Sequence, residues 1–204
     1  LVANVSQCIP KITKNYKCIF LTLTVPNCTE EDFPSTIDRL MKAWYKLSHY
    51  KKFSSIIKGF FRVLEVTRNK DKNSEFYGTL HPHFHIILVV PKEYGGKGIY
   101  ISRKEFLDMW KKAYDDMSIT QVDIRVIKPK DKKQIEDLCS SPEVIPLKSL
   151  QSAIAETCKY TFKDSDFLDD SLSPEEQNNL LLSLMTGLHH RRLAHFGGVF
   201  TSRS

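Results

Sequence analysis

Hydrophobic positions along the chain change period several times, and each change marks an element. In residues 17–25, KCIFLTLTV, Ile19, Leu21, Leu23 and Val25 alternate with Phe20, Thr22 and Thr24, the period-two pattern of a strand with one apolar and one semi-polar face. Pro26 and Asn27 end it, and TEEDFPS (29–35) opens a helix with Asp32 or Thr29 as cap and Pro34 in the first turn. Ile37, Leu40, Met41, Trp44 and Leu47 then recur at helical spacing, with Lys42, Lys46 and the lysines at 51, 52 and 58 opposite. Residues 60–67, FFRVLEVT, predict a second strand, 83–90 a third and 121–127 a fourth. Between them lie the polar connection 68–79, the loop 91–98 and an amphipathic helix over 102–114. That helix turns Phe106, Leu107, Trp110 and Tyr114 inward, and Ser102 with Glu105 forms its capping box. Residues 128–148 read as a charged loop, and 150–164 and 174–188 as helices.

The order β-α-β-β-α-β-α predicts an α+β fold, a central antiparallel sheet with helices packed mainly on one face. Direct succession of the strands at 60–67 and 83–90 argues against a doubly wound parallel sheet. The expected organisation is one domain over 1–170, with 171–204 a helical extension of it or the start of another unit. The start at Leu1 suggests a domain trimmed from a longer chain.

The third strand raises a chemical question. In HPHFHIILVV (81–90), histidines occupy every second position and then an aliphatic run follows. Alternate side chains of a strand share a face, so His83 and His85 point the same way, about 6–7 Å apart, with His81 a looser member beyond Pro82. One acid, Glu65, interrupts the preceding strand, where a carboxylate is unfavourable unless paired or metal-bound. A hairpin centred near residue 75 sets residue 65 opposite 85 and 67 opposite 83. Two imidazoles and a carboxylate then suit a divalent ion; the plainer alternative is histidines that only hydrogen-bond and a glutamate paired with an arginine. A second cluster lies in the helix over 150–164, where Glu156, Tyr160 and Lys163 share a face. A phenol beside a carboxylate and an ammonium suits chemistry on a phosphate, with the surface helix as the alternative.

Charge narrows the choice of partner. A net charge of +6 and a pI of about 9.0 favour a polyanion, nucleic acid before membrane. No apolar run reaches the ~20 residues of a membrane span, and no secretion signal is evident. The five cysteines lack CxxC spacing, which disfavours a zinc ribbon or disulfide framework and makes a reducing, cytoplasmic setting the expectation. Basic residues in 68–72, 128–133 and 191–192 are candidate phosphate contacts, and Phe76, Tyr77 and Tyr94 candidate stacking platforms.

FLTLTVPN (20–27), HPHFHIILVV (81–90) and KYTFKDSDF (159–167), in this order, resemble the three motifs of the rolling-circle plasmid replication initiators, a branch of the HUH endonuclease superfamily. GFFRVLEVTRN (59–69) and RRLAHFGG (191–198) resemble the same family's intervening and trailing segments. The resemblance implies that His83 and His85 bind a divalent ion, Mn2+ or Mg2+, with Glu65 as third ligand and His81 its competitor. It implies that Tyr160 is the nucleophile, that Glu156 activates water at termination, and that plasmid origin DNA is the partner, with host helicase and polymerase following. Glu156 and Asp164, four residues either side of Tyr160, fit a single-tyrosine-plus-glutamate pattern. By residue chemistry, Lys163, and less directly Lys159, steadies the phosphate oxygens. A conjugative relaxase, a single-strand transposase, or a non-catalytic DNA-binding module with a structural metal are the alternatives.

Overall fold

The computed structural model describes residues 16–96, 98–126 and 171–201. Nine elements succeed one another along them: β1 (Tyr16–Thr24), α1 (Phe33–His49), α2 (Lys51–Ile56), β2 (Gly59–Arg68), β3 (Leu80–Pro91), α3 (Arg103–Tyr114), β4 (Val122–Val126), α4 (Pro174–Leu188) and β5 (Ala194–Gly198). The strands form one five-stranded sheet in the order β4-β1-β3-β2-β5, and every neighbouring pair is antiparallel. This is the α+β architecture expected from the element order.

Period-two patterning divides the sheet into two faces. Ile19, Leu21, Leu23, Leu64, Val66, Phe84, Ile86 and Leu88 point to the helices and join Phe33, Ile37, Leu40, Trp44, Phe106 and Trp110 in one core. Ser102 and Glu105 form the expected capping box at the start of α3, and Ser173 and Glu176 form another on α4. At α1 the N-cap residue is Asp32, but its side chain is spent on Thr29 Oγ1 at 2.9 Å and caps no helical N–H.

The opposite face is split lengthwise. Cys18, Phe61, Val63, Ile87 and Val89 make a second apolar cluster with Phe200 at one end. Towards the other end of the same face stand Glu65, His83 and His85. An acid is tolerated in this sheet because two ring nitrogens meet it there.

Three details depart from the sequence expectation. Lysines 51 and 52 do not continue α1: extended backbone at Tyr50 breaks the helix, and they open α2, while Lys58 follows it. Residues 194–198, read only within a trailing segment, form β5 on the edge of β2. Gly197 and Gly198 weaken the strand signal there. Both are required by close approach: a Cβ on Gly197 would strike the Phe60 ring, and Gly198 sits at φ +62° with Lys58 O against it. The third is the hairpin register. Glu65 pairs with His83, Thr67 with His81 and Val63 with His85, so the centre falls at residue 74 instead of 75. Asn69 and Thr79 close the loop, with Asn69 N–H donating to Thr79 O at 2.9 Å and Gly78 N–H, at φ +80°, donating to Asn69 O at 2.8 Å.

Candidate metal centre

β2 and β3 deliver all three side chains of the site. An antiparallel pair sets directly opposed residues on the same face, which brings the Glu65 carboxylate under the His83 ring, and His85 follows two residues on. Glu65 Oε2 meets Nε2 of His83 and, at 2.6 Å, Nε2 of His85. The two rings stand nearly perpendicular, with centroids 4.8 Å apart. One ligating atom from each of the three residues lies within 4.8 Å of the others. Glu65 and His83 are buried, and His85 is partly exposed.

The outer ring nitrogens are held as well. His83 Nδ1 lies 3.2 Å from the His81 carbonyl oxygen, and His85 Nδ1 lies 3.3 Å from Thr22 Oγ1 on β1. A carbonyl only accepts, so His83 Nδ1 carries a proton and Nε2 is the ring nitrogen turned toward Glu65, whose carboxylate oxygens present lone pairs. Burial alone would push the Glu65 carboxyl up, but the hydrogen bonds and positive character of His83 and His85 outweigh it and hold it at about 2. Ring nitrogens and a carboxylate oxygen this close call for a cation between them, a proton or a metal ion. Two imidazoles and one carboxylate, their outer nitrogens fixed by hydrogen bonds, fit a divalent transition ion.

His81 shares the face but stands apart. Its ring centroid is 5.4 Å from that of His83, and it is not one of the three residues whose ligating atoms gather. Burial and the neighbouring His83 lower its pKa, against the opposing effects of a hydrogen bond to the Val25 backbone and of Glu65. Pro82 falls between the last β1 pair, Thr24–His83, and the isolated Cys28–Leu80 bridge, where the β1 ladder has stopped. Tyr160, Glu156, Lys163 and Lys159 lie outside the described residues, as does the basic run 128–133.

The other sequence candidates divide by exposure. Phe76 and Tyr77 are 48% and 39% exposed on the β2–β3 loop. Tyr94 is half-buried, donates its hydroxyl to Ile101 O at 3.0 Å and packs against the core. Arg68 is buried, and Arg191 pairs with Asp38; neither is a freely extended phosphate contact. Lys70, Lys72 and Arg192 are exposed. Sequence reasoning missed Thr22 as a neighbour of the site, although its place on the semi-polar face of β1 was the available signal.

A family model described as "Replication protein" matches residues 1–204. The chain belongs to this replication protein family. Among curated relatives, "Protein rep" of Bacillus amyloliquefaciens is 36% identical over 193 residues, covering 94% of this chain and 55% of that protein. "Replication protein" of Staphylococcus aureus is 32% identical over 185 residues, covering 89% of this chain and 69% of the relative. "Protein rep" of Streptococcus pneumoniae is 30% identical over 184 residues, with 89% and 49% covered. The chain thus spans about half to two thirds of the length of these relatives. No solved structure matches it. Among the described residues, no helix is long and apolar enough to cross a membrane.

Proposed function

We propose that the chain is the nicking part of a plasmid rolling-circle replication initiator, acting in the cytoplasm on single-stranded or hairpin DNA at the origin. The convergence of Glu65, His83 and His85 on one point, in a member of a replication protein family, carries this reading. Glu65, His83 and His85 would hold Mn2+ or Mg2+. When bound, such an ion supplies Lewis-acid stabilisation of charge on phosphate oxygens.

The chain's own residues do the rest. Tyr160 Oη gives up its proton to solvent and attacks phosphorus in line, the P–O3′ bond breaks, and the leaving oxygen takes a proton from solvent to become the free 3′-OH that a host polymerase extends. The DNA 5′ end stays on Tyr160 as a phosphodiester, which keeps the bond energy for rejoining. Lys163 steadies the phosphate oxygens. At termination Glu156 takes a proton from a water that attacks the phosphorus of the regenerated site, the P–O3′ bond breaks and the 3′ oxygen takes a proton, leaving a free 3′-OH and a 5′-phosphate. Exposed Lys70, Lys72 and Arg192 neutralise backbone phosphates, which makes binding salt-dependent.

The test is incubation of the protein with a labelled single-stranded origin oligonucleotide and Mn2+. A covalent protein–DNA band that disappears in Tyr160→Phe is the expected result. Binding without a covalent band in the unaltered protein would favour a DNA-binding module. Glu156→Ala is expected to nick once but to lose water-driven release.

A further inference from the structure

We infer that Thr22 is a positioning residue for His85, and that this is why β1 presents a hydroxyl to the site. The inference rests on the reading of Glu65, His83 and His85 as ligands. The two imidazoles are held in different ways. His83 Nδ1 meets a backbone carbonyl of its own strand, His81 O at 3.2 Å, so its orientation follows from the fold of β3 alone. His85 Nδ1 meets a side chain of another strand, Thr22 Oγ1 at 3.3 Å, and Thr22 is its direct partner in the β1–β3 ladder. Phe20 stacks on the same ring at 5.5 Å and 25°, which favours one ring plane and leaves two orientations related by a 180° turn about the Cβ–Cγ bond.

The chemistry suits a hydroxyl there. Turned by 180°, the ring would withdraw Nε2 from Glu65 Oε2, 2.6 Å away, and lose the convergence of the three donors. A hydroxyl both donates and accepts, so Thr22 serves either state of the ring. It donates to a bare Nδ1 while the proton rests on Nε2, and it accepts from Nδ1–H when Nε2 gives its lone pair to a cation. Valine has the same shape and neither capacity. On the far side of Thr22 the β1–β4 ladder places Asp123, whose carboxylate is taken by Arg125 at 2.6 Å. Thr24 is the natural control: it stands opposite His83, whose outer nitrogen is already held by backbone.

The test compares Thr22→Val, Thr22→Ser and Thr24→Val by two readouts. Calorimetric titration with MnCl2 is expected to show affinity about 10- to 100-fold weaker in Thr22→Val, with Thr22→Ser and Thr24→Val close to the unaltered protein. In metal-free protein, nuclear Overhauser contacts of the His85 ring protons to Phe20 report orientation. They are expected to show one orientation in the unaltered protein and Thr22→Ser, and two in Thr22→Val. Unchanged orientation in Thr22→Val, or failure of serine to restore it, overturns the inference. Because this readout needs no metal, an unaltered protein that binds no Mn2+ would sink the metal reading while the role of Thr22 is still decided.

Discussion

Glu65 stands directly opposite His83 across the β2–β3 hairpin, and the same carboxylate oxygen that meets His83 Nε2 also meets His85 Nε2. One buried acid therefore serves two rings, and the energetics of the site centre on it.

Replacing Glu65 by glutamine keeps the volume and removes the charge. Mn2+ affinity is expected to fall at least tenfold. In the unaltered protein, Mn2+ at about 100 times its Kd should stabilise the fold by about 2.7 kcal/mol, raising Tm by roughly 5–10 °C for a domain of this size. Thermal unfolding with and without Mn2+ or EDTA checks this; an equal rise in Glu65→Gln would show the ion binding elsewhere.

The same acid sets a pH dependence. The Glu65 carboxyl sits at about 2, below its ordinary 4.5, because His83 and His85 outweigh its burial. A depressed folded value means stability that is present above about pH 4.5 and lost as pH falls through about 2. Urea unfolding of metal-free protein measures the stability difference between the unaltered protein and Glu65→Gln, with its value at about pH 4.5 as reference. Below that, it should shift against the unaltered protein. A flat difference down to pH 2.5 would contradict the ionised, hydrogen-bonded carboxylate.

α4 rests on α1 through a glycine. A Cβ on Gly187 would lie 2.6 Å from two atoms of the buried Phe33 ring and 3.3 Å from Pro34 Cα. Alanine normally gains about 1 kcal/mol over glycine inside a helix, but overpacking a closed contact costs about 1–3 kcal/mol. Gly187→Ala is therefore expected to be net destabilising in chemical denaturation; a stabilised variant would mean that α4 sits looser on α1.

Phe76 and Tyr77 are exposed on a loop braced by hydrogen bonds among Asn69, Asp71, Ser74 and Thr79. Substituting either by alanine should leave unfolding within about 0.5 kcal/mol. Where the residue stacks on an unpaired base, single-strand affinity should fall by about 1–3 kcal/mol. Fluorescence anisotropy with an origin oligonucleotide at fixed salt measures it, and unchanged affinity in both variants would remove the loop from the DNA surface.

The hydrophobic patterning of residues 17–25, 60–67 and 83–90 identified β1, β2 and β3, and an assumed symmetric hairpin placed Glu65 on the face of His81, His83 and His85. That placement survived a hairpin wrongly centred by one residue, because the register then moves by two and side-chain direction repeats every two. The capping box at Ser102 is equally local, since it closes within four residues. What the linear pattern left open depends on distant partners. The pairing of Glu65 with His83 follows from the Asn69–Thr79 closure and the left-handed Gly78; the convergence of Glu65, and not His81, on His83 and His85 follows from that pairing. β5 needed the Gly59–Val63 edge of β2 to pair with, and Thr22 reached His85 only because β1 lies beside β3 in the sheet. Periodicity is a property of neighbouring residues and is written in the chain; which strand lies beside which is settled by burying one continuous core, and the chemistry of this site belongs to that second level.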